Sequence, residues 1–180
     1  GDLEAFTTRL RDAVVEAHAR VQAYASDRPW LQGMGTTITA AGVLDGSIVL
    51  AQVGDSRAYL LRGGRLVQVT RDQTWAQDMV ESGAMTPEEA RASPRRNLLL
   101  QALGATSNLS VPISRHPLRP GDILLLCSDG LSAAVPDDRI ESVLLGAKTL
   151  REACETLIRE ANEAGGPDNI TVLLAEPRAR

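Results

Sequence analysis

Two short turns fix what this chain can fold into. Asp45-Gly46 separates the apolar runs TTITAAGVL and SIVLAQV, and Gly63-Gly64 separates RAYLLR from RLVQV. Both pairs accept positive φ, which a two-residue hairpin requires at its centre, so each predicts two antiparallel strands joined directly. Four consecutive strands in two hairpins suggest an antiparallel sheet. A chain of 180 residues that is 43% hydrophobic can bury such a sheet against other elements in one domain. Aromatic residues make up only 3%, so Leu, Val, Ile and Ala must build the core.

Helices flank the strands in sequence. Leu3, Phe6, Leu10, Val14, Ala17, Val21 and Tyr24 recur by threes and fours, predicting one helix over residues 2–26 with Asp2 as its cap. Both histidines, His18 in this helix and His116 before a proline, read as surface or boundary residues. Residues 71–97 have helical character but few large apolar side chains. Gly83 ends one helix there, and Thr86-Pro87-Glu88-Glu89 reads as a capping box. With so little to bury, the segment reads as a mobile flap. A tight Pro-Gly turn then leads into the buried strand of ILLLCSDGLS, and a short helix begins near Asp137. A longer one follows, with Thr149 and Glu152 as a second capping box and Ala153, Leu157, Ile158 and Ala161 inside. GGPDNITVLLAEP is a loop and a closing strand. The expected class is α+β.

Charge and cysteine content narrow the function. The net charge is −4 and the basic residues do not cluster, which argues against nucleic acid as a partner. Cys127 and Cys154 lack metal-type spacing and read as small hydrophobes in a reducing compartment. No apolar run approaches the roughly 18 residues that cross a bilayer. The start of the chain lacks the basic and apolar regions of a signal peptide, so the expected location is the cytosol.

Three aspartates carry the candidate chemistry. Asp129 follows a buried strand directly, and Asp168 reads as directly preceding one. If those strands pair antiparallel, both carboxylates project from one edge of the sheet. Asp55, between two apolar runs, could reach the same rim. Carboxylates so close repel unless a cation lies between them, and an all-oxygen set suits Mg²⁺ or Mn²⁺. The competing reading is plain turn chemistry, because Ser-Asp-Gly and Pro-Asp-Asn are ordinary turn formers.

GMGTT at 33–37, VGDSRAYLLRGGRL at 53–66, LLLCSDGLS at 124–132 and GGPDNITVLL at 165–174 occur in an order and spacing that resemble the bacterial metal-dependent protein serine/threonine phosphatases of the PPM type. The resemblance extends through the flap and covers nearly the whole chain, taken as one domain over 1–180 with the flap at 71–97. It implies a layered α-β-β-α sandwich of two antiparallel sheets flanked by helices. It also implies hydrolysis of phosphoserine and phosphothreonine by water activated between two Mg²⁺ or Mn²⁺ ions. Asp129 and Asp168 then correspond to direct ligands, and Asp55 to a residue holding a third, weaker ion mostly through water. The partners would be phosphorylated proteins, targets of a serine/threonine kinase, and the phosphatase itself a monomer.

The departures from the family set further expectations. An upstream arginine that grips phosphate and an Asp-Gly pair that bridges both metals have no counterpart ahead of the first helix. The N-terminal strands of the sandwich should therefore be missing, sheet edges unpaired, and the 180-residue form nearly inactive. RDQT stands where the family often has an acidic residue and histidine. Arg57, Arg95 and Arg96 are candidate phosphate or substrate contacts, with a structural pairing favoured for Arg57 and a solvated surface as the default for the other two. One alternative is a catalytically dead, partner-binding module. A more remote one is a serine esterase using Ser56, which lacks a suitably placed histidine.

Overall fold

A computed structural model describes residues 2–177. The α+β fold contains two antiparallel sheets and six α-helices among the described residues. Strands β1 (Ile38–Leu44), β2 (Ser47–Val53) and β5 (Ile113–Pro117) form a sheet in the order β1-β2-β5. Strands β3 (Arg57–Arg62), β4 (Arg65–Gln68), β6 (Ile123–Cys127) and β7 (Val172–Ala175) form another, ordered β4-β3-β6-β7. Both hairpin turns adopt positive φ as their residues require, at Asp45 and Gly46 and again at Gly63 and Gly64. The hairpins nevertheless enter different sheets, which corrects the reading of one sheet. Turn chemistry fixes only the local pairing, and the break falls at Gly54, where φ is +100°.

The chain forms two compact units. One takes in the stretch up to Ala41, Leu50–Asp55 and Asp72–Ile113, and the other Gly42–Val49, Ser56–Arg71 and the stretch from Ser114 onward.

In the first unit, helix α1 (Leu3–Ser26) begins at Asp2, whose carboxylate accepts from the Ala5 N–H at 3.1 Å. Val14, with Leu10 and Ala17 beside it, packs on Ala51, Val53 and Leu103. Tyr24 is 56% exposed, so the apolar stripe ends before it; the Arg28 guanidinium lies 4.0 Å above its ring. His18 is buried, contrary to the expectation of a surface position. Its Nδ1 accepts from the Gly104 N–H at 3.0 Å, and this partner makes the burial tolerable. Residues 71–97 carry α2 (Trp75–Glu81), capped by Thr74, and α3 (Pro87–Ala92), whose capping box joins Thr86 and Glu89 in both directions. The base of this segment is zipped by Trp75 N–H to Leu98 O at 2.9 Å and Leu100 N–H to Gln73 O at 2.8 Å.

In the second unit, Tyr59, Leu61, Leu125 and Cys127 from the sheet meet Leu131, Ile140, Val143, Leu157 and Ala161 from the helices. These belong to α4 (Asp129–Ser132), α5 (Asp137–Gly146) and α6 (Leu150–Glu163). Each fully buried Leu or Ile here contributes about 1.5–3 kcal/mol. Thr149 caps α6, accepting from the Glu152 N–H, but Glu152 reaches back to the Lys148 N–H rather than to that of Thr149. The expected box is therefore opened by one residue. Arg62 and Asp122 close the end of the sheet where β3 finishes and β6 begins. Asp122 is 1% exposed; it accepts from Arg62 Nε and Nη2 at 2.8 and 2.7 Å and from the Arg119 N–H at 2.8 Å. The Arg62 guanidinium holds this carboxyl below the usual range against the opposing effect of burial.

Candidate metal centre

Antiparallel pairing brings three strand ends to one place. Arg57 at the start of β3 lies opposite Cys127 at the end of β6, and Cys127 lies opposite Val172 at the start of β7. The chain leaves β6 through Ser128 into Asp129, the first residue of α4, and enters β7 from the bend at Asp168. Ser128 clasps the two segments. Its hydroxyl donates to Asn169 O and accepts from the Thr171 N–H, both at 2.9 Å.

Gly130 brings the segments closer still. A Cβ at Gly130 would stand 2.4 Å from Asn169 O and 3.3 Å from Asp168 O, so only glycine lets α4 start flat against this backbone. Asp129 is half-buried and Asp168 exposed. One oxygen of Asp168 accepts from the Asn169 N–H at 2.6 Å, which is the turn chemistry its neighbours predict; the second oxygen is not part of that bond. The pair offers carboxylate oxygens without histidine or cysteine, a donor chemistry that fits Mg²⁺ or Mn²⁺. Among the described residues, no group of three or more His, Cys, Asp or Glu side chains could hold a metal ion. The fit is thus in kind, with two carboxylates supplied.

The remaining candidates divide between the units. Asp55 belongs to the first, half-buried in the link that follows β2, and its neighbour Gly54 is gripped by Gln73 and Gln52. Arg57 belongs to the second. Its Nη1 donates to the Tyr59 hydroxyl at 2.9 Å, which donates to Asp137 Oδ1 at 2.9 Å. Burial above all, with Asp137 adding and Arg57 opposing, pushes the Tyr59 phenol well above its ordinary range, so it remains a donor. Arg95 and Arg96 lie exposed in the first unit, the Arg95 guanidinium 5.8 Å from the centre of the Trp75 ring. The sequence reading missed Ser128 and Gln73; a hydroxyl just before Asp-Gly was the one available signal for Ser128.

Both histidines have partners that a nucleophile's base would have to give up. His18 accepts from Gly104, and His116 Nε2 lies 3.1 Å from Ser114 Oγ, its pKa lowered by burial and then by Arg62. Cys127 and Cys154 are both free thiols, and burial pushes that of Cys154 up.

Comparison with known proteins gives a consistent family. Residues 2–79 match protein phosphatase 2C, and residues 79–178 match stage II sporulation protein E. The serine/threonine phosphatase stp of Listeria monocytogenes serovar 1/2a is 41% identical over 173 residues, covering 96% of this chain and 69% of that protein. PstP of Mycobacterium tuberculosis is 41% identical over 176 residues, 98% of this chain but only 33% of that longer protein. Among solved structures, Mycobacterium tuberculosis PstP superimposes with a TM-score of 0.90 at 40% identity, over 98% of this chain and 73% of that one. Staphylococcus aureus Stp1 does so at 0.93 and 32% identity, over 99% and 70%. The PstP catalytic domain in complex with 2 manganese ions matches at 0.79 and 40% identity, over 88% and 66%. The chain belongs to the bacterial PPM family of metal-dependent serine/threonine protein phosphatases.

Proposed function

We propose that this chain acts on phosphoserine and phosphothreonine in proteins phosphorylated by a serine/threonine kinase. Asp129 and Asp168 would be direct ligands of a Mg²⁺ or Mn²⁺ centre, and Asp55 would hold a further, weaker ion mostly through water. Bound divalent ions in such a centre lower the pKa of a coordinated water and neutralise charge on the phosphoryl oxygens, so no protein nucleophile is needed. The protein's own contribution is positional. Ser128 and Gly130 hold the backbones that carry Asp129 and Asp168 together at one strand edge. Residues 71–97 would form the flap, with Arg95 and Arg96 gripping substrate. Arg57 would serve Tyr59 and Asp137 rather than phosphate.

The observation that carries this reading is the convergence of Asp129 and Asp168 at the ends of paired β6 and β7. Manganese titration of the wild type against Asp129→Asn and Asp168→Asn tests it. Each variant should weaken binding at least tenfold, as loss of a carboxylate or its support does in metal sites. Unchanged affinity in both would overturn the assignment. The competing reading, a partner-binding module without catalysis, predicts no manganese binding.

A further inference from the structure

We infer that Gln73 is the positioning residue for Asp55, an inference that rests on the reading of Asp55 as a metal-holding carboxylate. Gln73 is buried, 5% exposed, and grips Gly54 twice. Its Oε1 accepts from the Gly54 N–H at 2.7 Å, and its own N–H donates to Gly54 O at 3.0 Å. Gln52 Nε2 adds a third bond, to the same Gly54 oxygen, at 3.0 Å. The Gly54 N–H belongs to the peptide plane before the residue and its C=O to the plane after. Both planes are therefore pinned, and the second leads directly into Asp55.

Gly54 cannot be replaced within this clamp. Its φ is +100°, and a Cβ would stand 2.4 Å from Thr37 Cγ2. The link between β2 and β3 consequently has little freedom left before Asp55, and the freezing of its backbone is accomplished in advance of any ligand. Gln73 also joins this link to the base of the 71–97 segment. Its carbonyl accepts from the Leu100 N–H, and the adjoining Thr74 bridges to Leu99. The side-chain amides of Gln73 and Gln52 make their bonds to Gly54 without carrying charge, so the grip adds no repulsion to a carboxylate next to it.

Gln73 touches neither substrate nor ion in this scheme; it acts by fixing where Asp55 points. Removing such support around a metal ligand lowers affinity about 10- to 100-fold. The test is a manganese titration of this chain, read from the paramagnetic resonance signal of free Mn²⁺, which does not depend on turnover. Asp55→Asn should remove the weakest class of sites. Gln73→Met, equal in volume but without the acceptor, should weaken that class about tenfold and leave tighter sites alone. In an Asp55→Asn background, Gln73→Met should change nothing further. Should Gln73→Met fail to fold, Gln73→Asn stays polar but withdraws the oxygen by one methylene and is expected to give the same weakening. A Gln73→Met isotherm that superimposes on the wild type while Asp55→Asn loses sites overturns the inference and leaves the reading of Asp55 standing. Equal weakening of every class would make Gln73 merely structural and also overturn it. An Asp55→Asn isotherm like that of the wild type overturns the reading of Asp55 and the inference together.

Discussion

Replacing Asp122 by asparagine should destabilise the protein by about 2–3 kcal/mol near neutral pH without touching the candidate site. Three donors reach this carboxylate, two from Arg62 and one from the Arg119 backbone, in a pocket where Asp122 is only 1% exposed. Breaking a buried ion pair typically costs about 3–5 kcal/mol. Two features reduce that figure here. The Arg62 side chain keeps 28% of its exposure and a second acceptor, Pro117 O, so it is not stranded. Asparagine also keeps one oxygen for a single donor.

The pH dependence follows from the direction of the shift. The folded-state pKa of Asp122 is depressed, so its contribution is present above the unfolded value of about 3.9 and is lost as pH falls through the folded one. Asparagine does not titrate, so the difference from wild type should shrink on acidification. Urea unfolding of both proteins from about pH 7 down to about pH 3 measures this across the relevant window. A difference below about 0.5 kcal/mol at neutral pH, or one constant with pH, would refute the reasoning, because surface ion pairs behave that way. Manganese binding should be unchanged, since Arg62 and Asp122 sit at the opposite end of β3 and β6 from Arg57 and Cys127.

Two further outcomes are expected. Gly130→Ala places a methyl group 2.4 Å from Asn169 O, so thermal melting should show a loss of about 1–3 kcal/mol, and manganese affinity should fall because the Asp168–Asn169 backbone must shift. Tyr59 should stay protonated in the folded state well above the ordinary phenol range, so alkaline absorbance titrations of native wild type and Tyr59→Phe should superimpose. Because the Tyr59 phenol is raised by folding, the associated stability is intact below its unfolded value of about 10 and declines as pH rises beyond it.

The sequence revealed what short-range chemistry decides. The hairpin turns, the Asp2 cap and the Thr86–Glu89 box were legible because each depends on residues within a few positions. The antiparallel pairing of β6 with β7, which sets the chain leaving at Asp129 beside the chain arriving from Asp168, was legible too, since a strand's end and its antiparallel neighbour's start must coincide. Assignment of the hairpins to separate sheets was not, because it depends on β6 pairing with β3 more than sixty positions away in the chain. The burial of Asp122 was not legible either, because it depends on Arg62, 60 positions distant. Gln73 stood out only within RDQT, as a departure from the family; its partner Gly54 lies 19 positions back and no short-range rule connects them.

The clasp made by Ser128 has a consequence for the order of events in folding. It joins positions 41 apart in sequence, so the two carboxylates are brought together only after β6 and β7 have found one another. An unfolded or half-assembled chain offers no such pair. Any ion that needs both acids therefore favours the finished sheet alone, and its free concentration, by mass action, would set how firmly that sheet is locked. Starvation for such an ion would then loosen the fold at this end.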